Sequence, residues 1–140
     1  MRRTFPLLIA ILILVAAMTS VAAAGSRRTT YVTTDCLHVR TAPPSILFAC
    51  GDGTFYVDHL TWSRWHTWKA SGFGLFHQND CRPSCAEGTF HTAWGHLWLR
   101  NRDRCTHPHV FTFQHVRALY EHRLLGHRRV SFGHLGCPLV

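Results

Sequence analysis

Several features that identify common protein classes are missing from this chain of 140 residues. It has no internal repeat, no heptad run and no low-complexity segment, which excludes solenoids, coiled coils and collagen-like chains. It also has no HExxH motif and no C-x-x-C pair, the signatures of zincin and thioredoxin-type redox sites. No single motif in the sequence therefore specifies a reaction.

Lysine is nearly absent. Lys69 is the only one, so arginine carries almost all of a formal net charge of +8. Guanidinium groups bind carboxylates and phosphates through two parallel hydrogen bonds, which would suit an acidic polymer or a membrane surface. A GC-rich genome also favours arginine over lysine, and solubility alone can use a positive charge. The charge thus indicates a class of partner without selecting one.

The first 24 residues predict export. Arg2 and Arg3 precede an apolar stretch over residues 5–18, and Ala22 and Ala24 form an A-x-A cleavage pattern. An uncleaved membrane anchor is the alternative, but the second half of the segment is rich in Ala, Thr and Ser rather than Leu and Ile. We therefore predict cleavage after Ala24 and a secreted product that does not stay inserted in a membrane.

All six cysteines follow the predicted cleavage site. An even number of cysteines in an exported chain predicts a disulfide framework. Six cysteines allow 15 pairings, and Cys81 and Cys85 either bond each other across Pro83 or each reach elsewhere. Every bridge would stabilise the fold by about 2–4 kcal/mol. The predicted structural disulfides use Cys36, Cys50, Cys81, Cys85, Cys105 and Cys137.

Short runs of aromatic and β-branched residues between turn signals predict strands. The strongest run is Phe55–Trp65, where Tyr56, Leu60 and Trp62 share one parity. Trp65 breaks that parity, so we expect a bulge or a strand end near residues 63–64. Further strands are predicted at 46–50, 70–77, 89–100, 110–120 and 129–134. A helix over 116–125 is an open alternative to the end of the strand at 110–120.

The strand spacing predicts an all-β fold, a small disulfide-stabilised sandwich or partly open barrel. The pattern does not separate these two. Residues 36–140 are expected to form a single β domain after a loose N-terminal arm over residues 25–35, with an edge strand at Thr30–Thr33 as an alternative for the arm. Glycines within 70–77 are expected to let an indole lie against the backbone.

The five tryptophans suggest a binding surface. Such rings form platforms for sugars, stacked bases or a partner protein. Trp62, Trp94 and Trp98 are expected in the core, where large rings do most of the burial. Trp65 and Trp68 are the candidate binding residues, because they lie where the strand pattern fails.

Twelve histidines raise the possibilities of metal binding and of catalysis. No histidine pair has the spacing of a ligand motif, so we expect neither a metal nor a cofactor. Glu87, His91 and Arg100 could supply the base, acid and charge-stabilising group of a small secreted hydrolase such as a ribonuclease. This trio is the alternative to a non-enzymatic function.

The spacing of the tryptophans, glycines and cysteines resembles a family of small secreted actinobacterial proteins. The matching segments are Ala49-Cys-Gly-Asp52, LxWxxW from Leu60, AxGxG from Ala70 and NxCxPxCAxG from Asn79. His66 stands where that family usually has Gly, and Trp94-Gly95 where Tyr-Pro is common. The resemblance implies export and a compact β domain, and it carries over no catalytic residue.

Together these features predict a secreted binding or interaction protein without enzymatic activity. An acidic cell-wall polymer or another secreted protein is the expected partner. A binding module should present an exposed aromatic or arginine patch on a shallow face. An enzyme should instead bring His, Glu and Arg together in a concave pocket.

Overall fold

Eight strands account for the regular structure of the residues that a computed structural model describes, 29–133 and 135–139, and no helix occurs among them. The predicted signal peptide, residues 1–24, lies outside the described residues, as do His134 and Val140. The strands are β1 (Thr30–Thr33), β2 (Val39–Arg40), β3 (Ile46–Leu47), β4 (Phe55–Trp65), β5 (Ala70–Asn79), β6 (Phe90–Arg104), β7 (Phe111–Leu124) and β8 (His127–Gly133).

The strands form one sheet in the order β2-β1-β7-β6-β5-β4-β3, with β8 pairing β7. Neighbours are antiparallel except for the parallel pair β1 and β7. The sheet curls so far that its two ends meet, since Leu47 N donates to Thr34 O at 2.7 Å. This confirms the all-β prediction and selects the partly open barrel over the sandwich.

The core fills the inside of the curled sheet. Phe132 of β8 packs edge-on against Phe48 and Phe55, at 5.1 and 5.7 Å between ring centroids, so β8 closes over the far end of the sheet. The fully buried side chains alternate along the central strands, as a period-two pattern requires. They include Val57, Phe76, Leu97, Leu99, Val116 and Tyr120.

Two predictions for β4 and β5 are confirmed. The register slips between Trp62 and Arg64, which is the expected bulge, and a second slip lies between Asp58 and Thr61. Gly72 allows the predicted indole contact, because a Cβ there would lie 3.0 Å from Trp62 Cε3. That indole stays in the core by donating its N–H to Pro43 O at 2.7 Å.

β7 is a strand along its whole length, so the helical alternative over 116–125 is wrong. Val116, Ala118 and Tyr120 are buried while Arg117 is exposed, an alternation that strand pairing with both β6 and β8 produces. The strand ends in a two-residue turn to β8, in which Leu125 and Gly126 both take positive φ, at 45° and 85°.

The N-terminal strand lies within the sheet rather than in a loose arm. Thr30–Thr33 pairs with β7 on one side and β2 on the other. Val32 is fully buried, and Thr30 Oγ1 donates to Thr67 O at 2.6 Å. The sequence left Thr30–Thr33 as part of a loose arm or as an edge strand, and these contacts show that it is a strand of the sheet.

Three disulfides tie the loops to the sheet. They join Cys36 to Cys50, Cys81 to Cys85 and Cys105 to Cys137, with sequence separations of 14, 4 and 32. Three such bonds indicate an oxidising environment, as found outside the cell. No helix long and apolar enough to cross a membrane occurs among the described residues.

The longest disulfide loop should contribute the most stability. We expect Cys105→Ala with Cys137→Ala to lower the free energy of unfolding by about 3–4 kcal/mol, because chain-entropy loss grows with loop length. Removal of the pair Cys81 and Cys85, whose loop is far shorter, is the matched control and should cost about 2 kcal/mol. Urea unfolding of both variants measures this order, and a larger loss in the control would contradict it.

Candidate functional site: a basic track on the outer face

One row of side chains crosses the outside of the sheet from β4 to β8. Cross-strand pairing places Arg64 opposite Ser71, Ser71 opposite Trp98, Trp98 opposite Arg117, and Arg117 opposite Ser131. Residues paired in this way point to the same face. The rows on either side of it, which contain Leu97 and Leu99, point into the core, so this row points to solvent.

Three shallow hollows follow one another along this row. The first, about 310 Å³, has Trp98, Arg117 and Arg129 in its lining. The second, about 140 Å³, lies on the other side of Trp98 and is lined by Arg64, Lys69, Ala70, Ser71, Trp98 and Arg100. The third, about 440 Å³, shares Lys69 and Arg100 with the second and adds Trp68, Asn101 and Arg102.

We call these joined hollows the basic track. Each shares at least one lining residue with the next, so they form a continuous path from β8 to the turn between β4 and β5. No carboxylate lines any of the three hollows. The track contains two tryptophans, Trp68 and Trp98, and six cations, Arg64, Lys69, Arg100, Arg102, Arg117 and Arg129.

These cations have no acidic partner. Within residues 29–133 and 135–139, all four ion pairs join a histidine to an aspartate, and none contains arginine or lysine. Two further carboxylates accept hydrogen bonds from nearby hydroxyl groups: Asp52 from Thr54, and Glu87 from Ser84. Unpaired cations repel one another and attract external anions. The track is therefore an electropositive strip of the surface.

Arg102 is the most strongly positioned of the six cations. Its guanidinium carbon lies 4.4 Å from the Trp68 ring centroid and 3.9 Å from that of Phe111. Cation–π contacts on both sides orient the planar group and keep its edge free to donate hydrogen bonds. The same contact holds Trp68, whose side of the ring away from Arg102 stays open, since the residue is 69% exposed.

Of the two tryptophans predicted to bind, one lies on the track and one does not. Trp68 is exposed, as expected for a binding residue. Trp65 is half-buried: it donates its indole N–H to Thr30 O at 3.0 Å and packs edge-on against Trp62 and Phe113. Trp65 therefore connects β4 to β1, and it also lines a neighbouring hollow beside Trp68.

A series of aromatic ring contacts leads from Trp98 away from the basic track to Trp94. Trp98 stacks on His96, His96 meets Phe73 edge-on, and Phe73 stacks on Trp94 at 5.5 Å with ring planes 5° apart. We call these four residues the ring ladder. The expected core positions of Trp94 and Trp98 are wrong, because Ala93, Gly95, Leu97 and Leu99 take the inward positions of β6. Trp94 is 40% exposed, and Trp98 is half-buried on the outer face.

At its Trp94 end, the ring ladder lies next to the carboxylate of Asp58, which is hydrogen-bonded between two histidines. Asp58 Oδ1 lies 2.8 Å from His59 Nδ1 and 3.1 Å from His77 Nε2, and Tyr56 stacks on His77. Burial raises the pKa of Asp58, but the hydrogen bonds from His59 and His77 outweigh burial and hold its pKa below 3.8. This end of the outer face is neutral to acidic, so the positive charge is concentrated at the Trp98 end.

The proposed hydrolase trio is not brought together. His91 lies at the start of β6 and Arg100 nine residues further along it, which corresponds to about 30 Å of extended strand. His91 is held by Asp80 at 3.0 Å, and Glu87 accepts a hydrogen bond from Ser84 in the loop closed by Cys81 and Cys85. Arg100 lies on the basic track instead. Of the trio, only Arg100 lines any of the hollows described for residues 29–133 and 135–139.

The histidines are dispersed over the surface. The rings of His107 and His109 lie near each other, with centroids 5.6 Å apart. Across residues 29–133 and 135–139, no three His, Cys, Asp or Glu side chains converge in a way that could hold a metal ion. Four of the twelve histidines instead pair with aspartates.

No protein-family model matches the chain, no curated protein matches its sequence, and no solved structure matches its fold. The resemblance to small secreted actinobacterial proteins is not tested by these comparisons and stays a prediction.

The hydrogen bonds of Asp58 with His59 and His77 make the stability of the fold depend on pH. Since the pKa of Asp58 is lowered on folding, its contribution is present above about pH 4 and is lost as pH falls through the folded-state value. We expect Asp58→Asn to lower the melting temperature at pH 6 and to have little effect at pH 2. Asp103→Asn, which removes an exposed carboxylate without a histidine contact, is the control. Equal pH dependence of both variants would contradict this assignment.

Proposed function

We propose that the protein is an exported, non-enzymatic binding protein whose ligand is an acidic polymer lying along the basic track. The observation that carries this proposal is the set of six cations without acidic partners, arranged on one path with two tryptophans and no lining carboxylate. Membership of the family of small secreted actinobacterial proteins is proposed with it, on the residue spacing alone.

The shape of the track favours a polymer over a small molecule. Small-molecule sites are concave and bury most of the ligand. The three hollows are instead shallow and open end to end across the sheet. From Arg64 to Ser131 the row crosses five strands, a span of about 19 Å at the usual strand spacing. A linear chain can contact all six cations at once, and a compact ligand cannot.

The charge favours an acidic polymer over a secreted protein. Arginine and tryptophan are also enriched at protein–protein interfaces, but the core of such an interface is on the whole depleted of charged residues and surrounded by a polar rim. Here the centre is cationic. Arginine is suited to this role because its fork matches phosphate and carboxylate groups. An acidic cell-wall polymer is one such partner in the compartment to which the predicted signal peptide would send the protein.

A hydrolytic function has no comparable support. The separation of His91 from Arg100 by about 30 Å along one strand removes the arrangement that this alternative needed. A nuclease assay of the secreted form provides a direct check on this alternative.

Loss of three track cations should weaken binding to an acidic polymer. We expect the variant Arg64→Gln/Arg100→Gln/Arg117→Gln to lose at least ten-fold in affinity for polyphosphate, because each contact to a charged group contributes about 1 kcal/mol or more. Isothermal titration calorimetry of the secreted form measures this. The wild-type affinity should also fall steeply between 50 and 200 mM salt, as for other polyanion complexes.

The matched control removes the same charge elsewhere. Arg40, Arg82 and Arg128 are exposed and line none of the three hollows of the track. Their triple change to Gln should leave the affinity within about two-fold of wild type. An equal loss in both triple variants would mean that net charge alone attracts the polymer and would contradict a defined track.

A further inference from the structure

We infer that the polymer is a single-stranded nucleic acid, with bases stacked on Trp98 and Trp68 and phosphates held by the track arginines. This inference rests on the proposed function and specifies its ligand. Three properties of the track support it: the donor chemistry of its side chains, the placement of its rings, and its shallow depth.

The track donates hydrogen bonds and accepts very few. Arginine, lysine and tryptophan side chains are donors only. Among the track residues, the side-chain acceptors are those of Ser71, Asn101 and Ser131. A phosphodiester chain presents acceptors without donors and so fits this strip. An acidic polysaccharide carries several hydroxyl donors on each sugar, and most of them would find no protein acceptor here.

The two tryptophans alternate with the cations along the path. Trp98 separates Arg117 and Arg129 from Arg64 and Arg100, and Trp68 lies beyond Lys69 at the far end. Proteins that bind single strands combine a positive groove with aromatic side chains on which bases stack. Polyphosphate has the charge but no flat faces. The alternation therefore favours a polymer that carries both phosphates and planar rings.

The shallow form of the track favours unpaired bases. In a duplex the base faces are hidden in the stack, and only the groove edges and the phosphates remain accessible. The hollows at Trp98 and Trp68 lie on the outward surface of a sheet, the kind of surface on which single-strand binding domains stack splayed bases. A duplex could use the cations but neither tryptophan.

The test compares two track tryptophans with one that lies off the track. An oligothymidylate of about twelve nucleotides, long enough for a single-domain site, is titrated into the secreted form. Binding is followed by anisotropy of a labelled strand and by tryptophan fluorescence. Trp98→Leu and Trp68→Leu should each weaken binding about ten-fold without changing the salt dependence. Trp94→Leu is the control, because Trp94 is an exposed tryptophan of the same strand as Trp98 but lines none of the track hollows; its affinity should stay within about two-fold of wild type.

Arginine variants provide a second readout that does not depend on the tryptophans. Arg117→Gln should reduce the slope of log affinity against log salt by about 0.7, the value for one phosphate contact to a single strand. Melting curves confirm that each variant is folded. If Trp98→Leu does not fold, quenching of wild-type fluorescence by the oligonucleotide tests the ring contact directly, and an absence of quenching would overturn it.

The remaining outcomes show whether the nucleic-acid inference fails alone or together with the proposed function. Binding of polyphosphate as tightly as of the oligonucleotide, insensitive to Trp98 and Trp68, would overturn the nucleic-acid inference and leave the acidic-polymer function standing. Tighter binding of a duplex of equal length, or of polygalacturonate through Trp98, would also overturn it. Failure to bind any of these polymers would overturn both proposals.

Discussion

Burial of two rows of core side chains determines the outer surface of this protein. One inward row contains Trp65, Ala70, Leu99, Val116 and Phe132, and the other contains Trp62, Gly72, Leu97, Ala118 and Val130. Because successive residues of a strand point to opposite faces, the row between these two must face solvent. That row holds Arg64, Trp98 and Arg117. A register slip of one residue would bury these arginines, so the free energy that fixes the core also fixes the track.

The track itself adds little to the stability of the fold. Six cations without acidic partners repel one another, and among the described residues the carboxylates that form ion pairs do so with histidines. The fold tolerates this repulsion because stability comes from the curled sheet, the aromatic core and the disulfides, one of which anchors fully buried Cys105. An acidic polymer on the track would relieve this repulsion.

Local patterns predicted the strands well and the site only in part. Aromatic and β-branched runs identified β4 and β5, and the broken parity at Trp65 identified the bulge between Trp62 and Arg64. In β6 both parities are apolar, with tryptophans on one and leucines on the other, so parity alone could not tell that Trp94 faces outward. Arg64, Trp98 and Arg117 become neighbours only through pairings across β4 to β7, and no local signal contains that register. Trp68 was found because its exposure follows from a turn, which is a local feature.

The most direct measurement of the binding surface is an NMR titration of residues 25–140, the form that the predicted cleavage would leave, with the single-stranded oligonucleotide. If the outward row is the binding surface, four signals should shift together and saturate at one ligand ratio. They are the indole N–H signals of Trp68 and Trp98 and the backbone amide signals of Ser71 and Arg117. Signals of residues that line none of the track hollows, such as that of Leu37 in the loop between β1 and β2, should stay in place. Shifts centred away from this row, or none at saturation, would contradict the claim that the outward row is the binding surface.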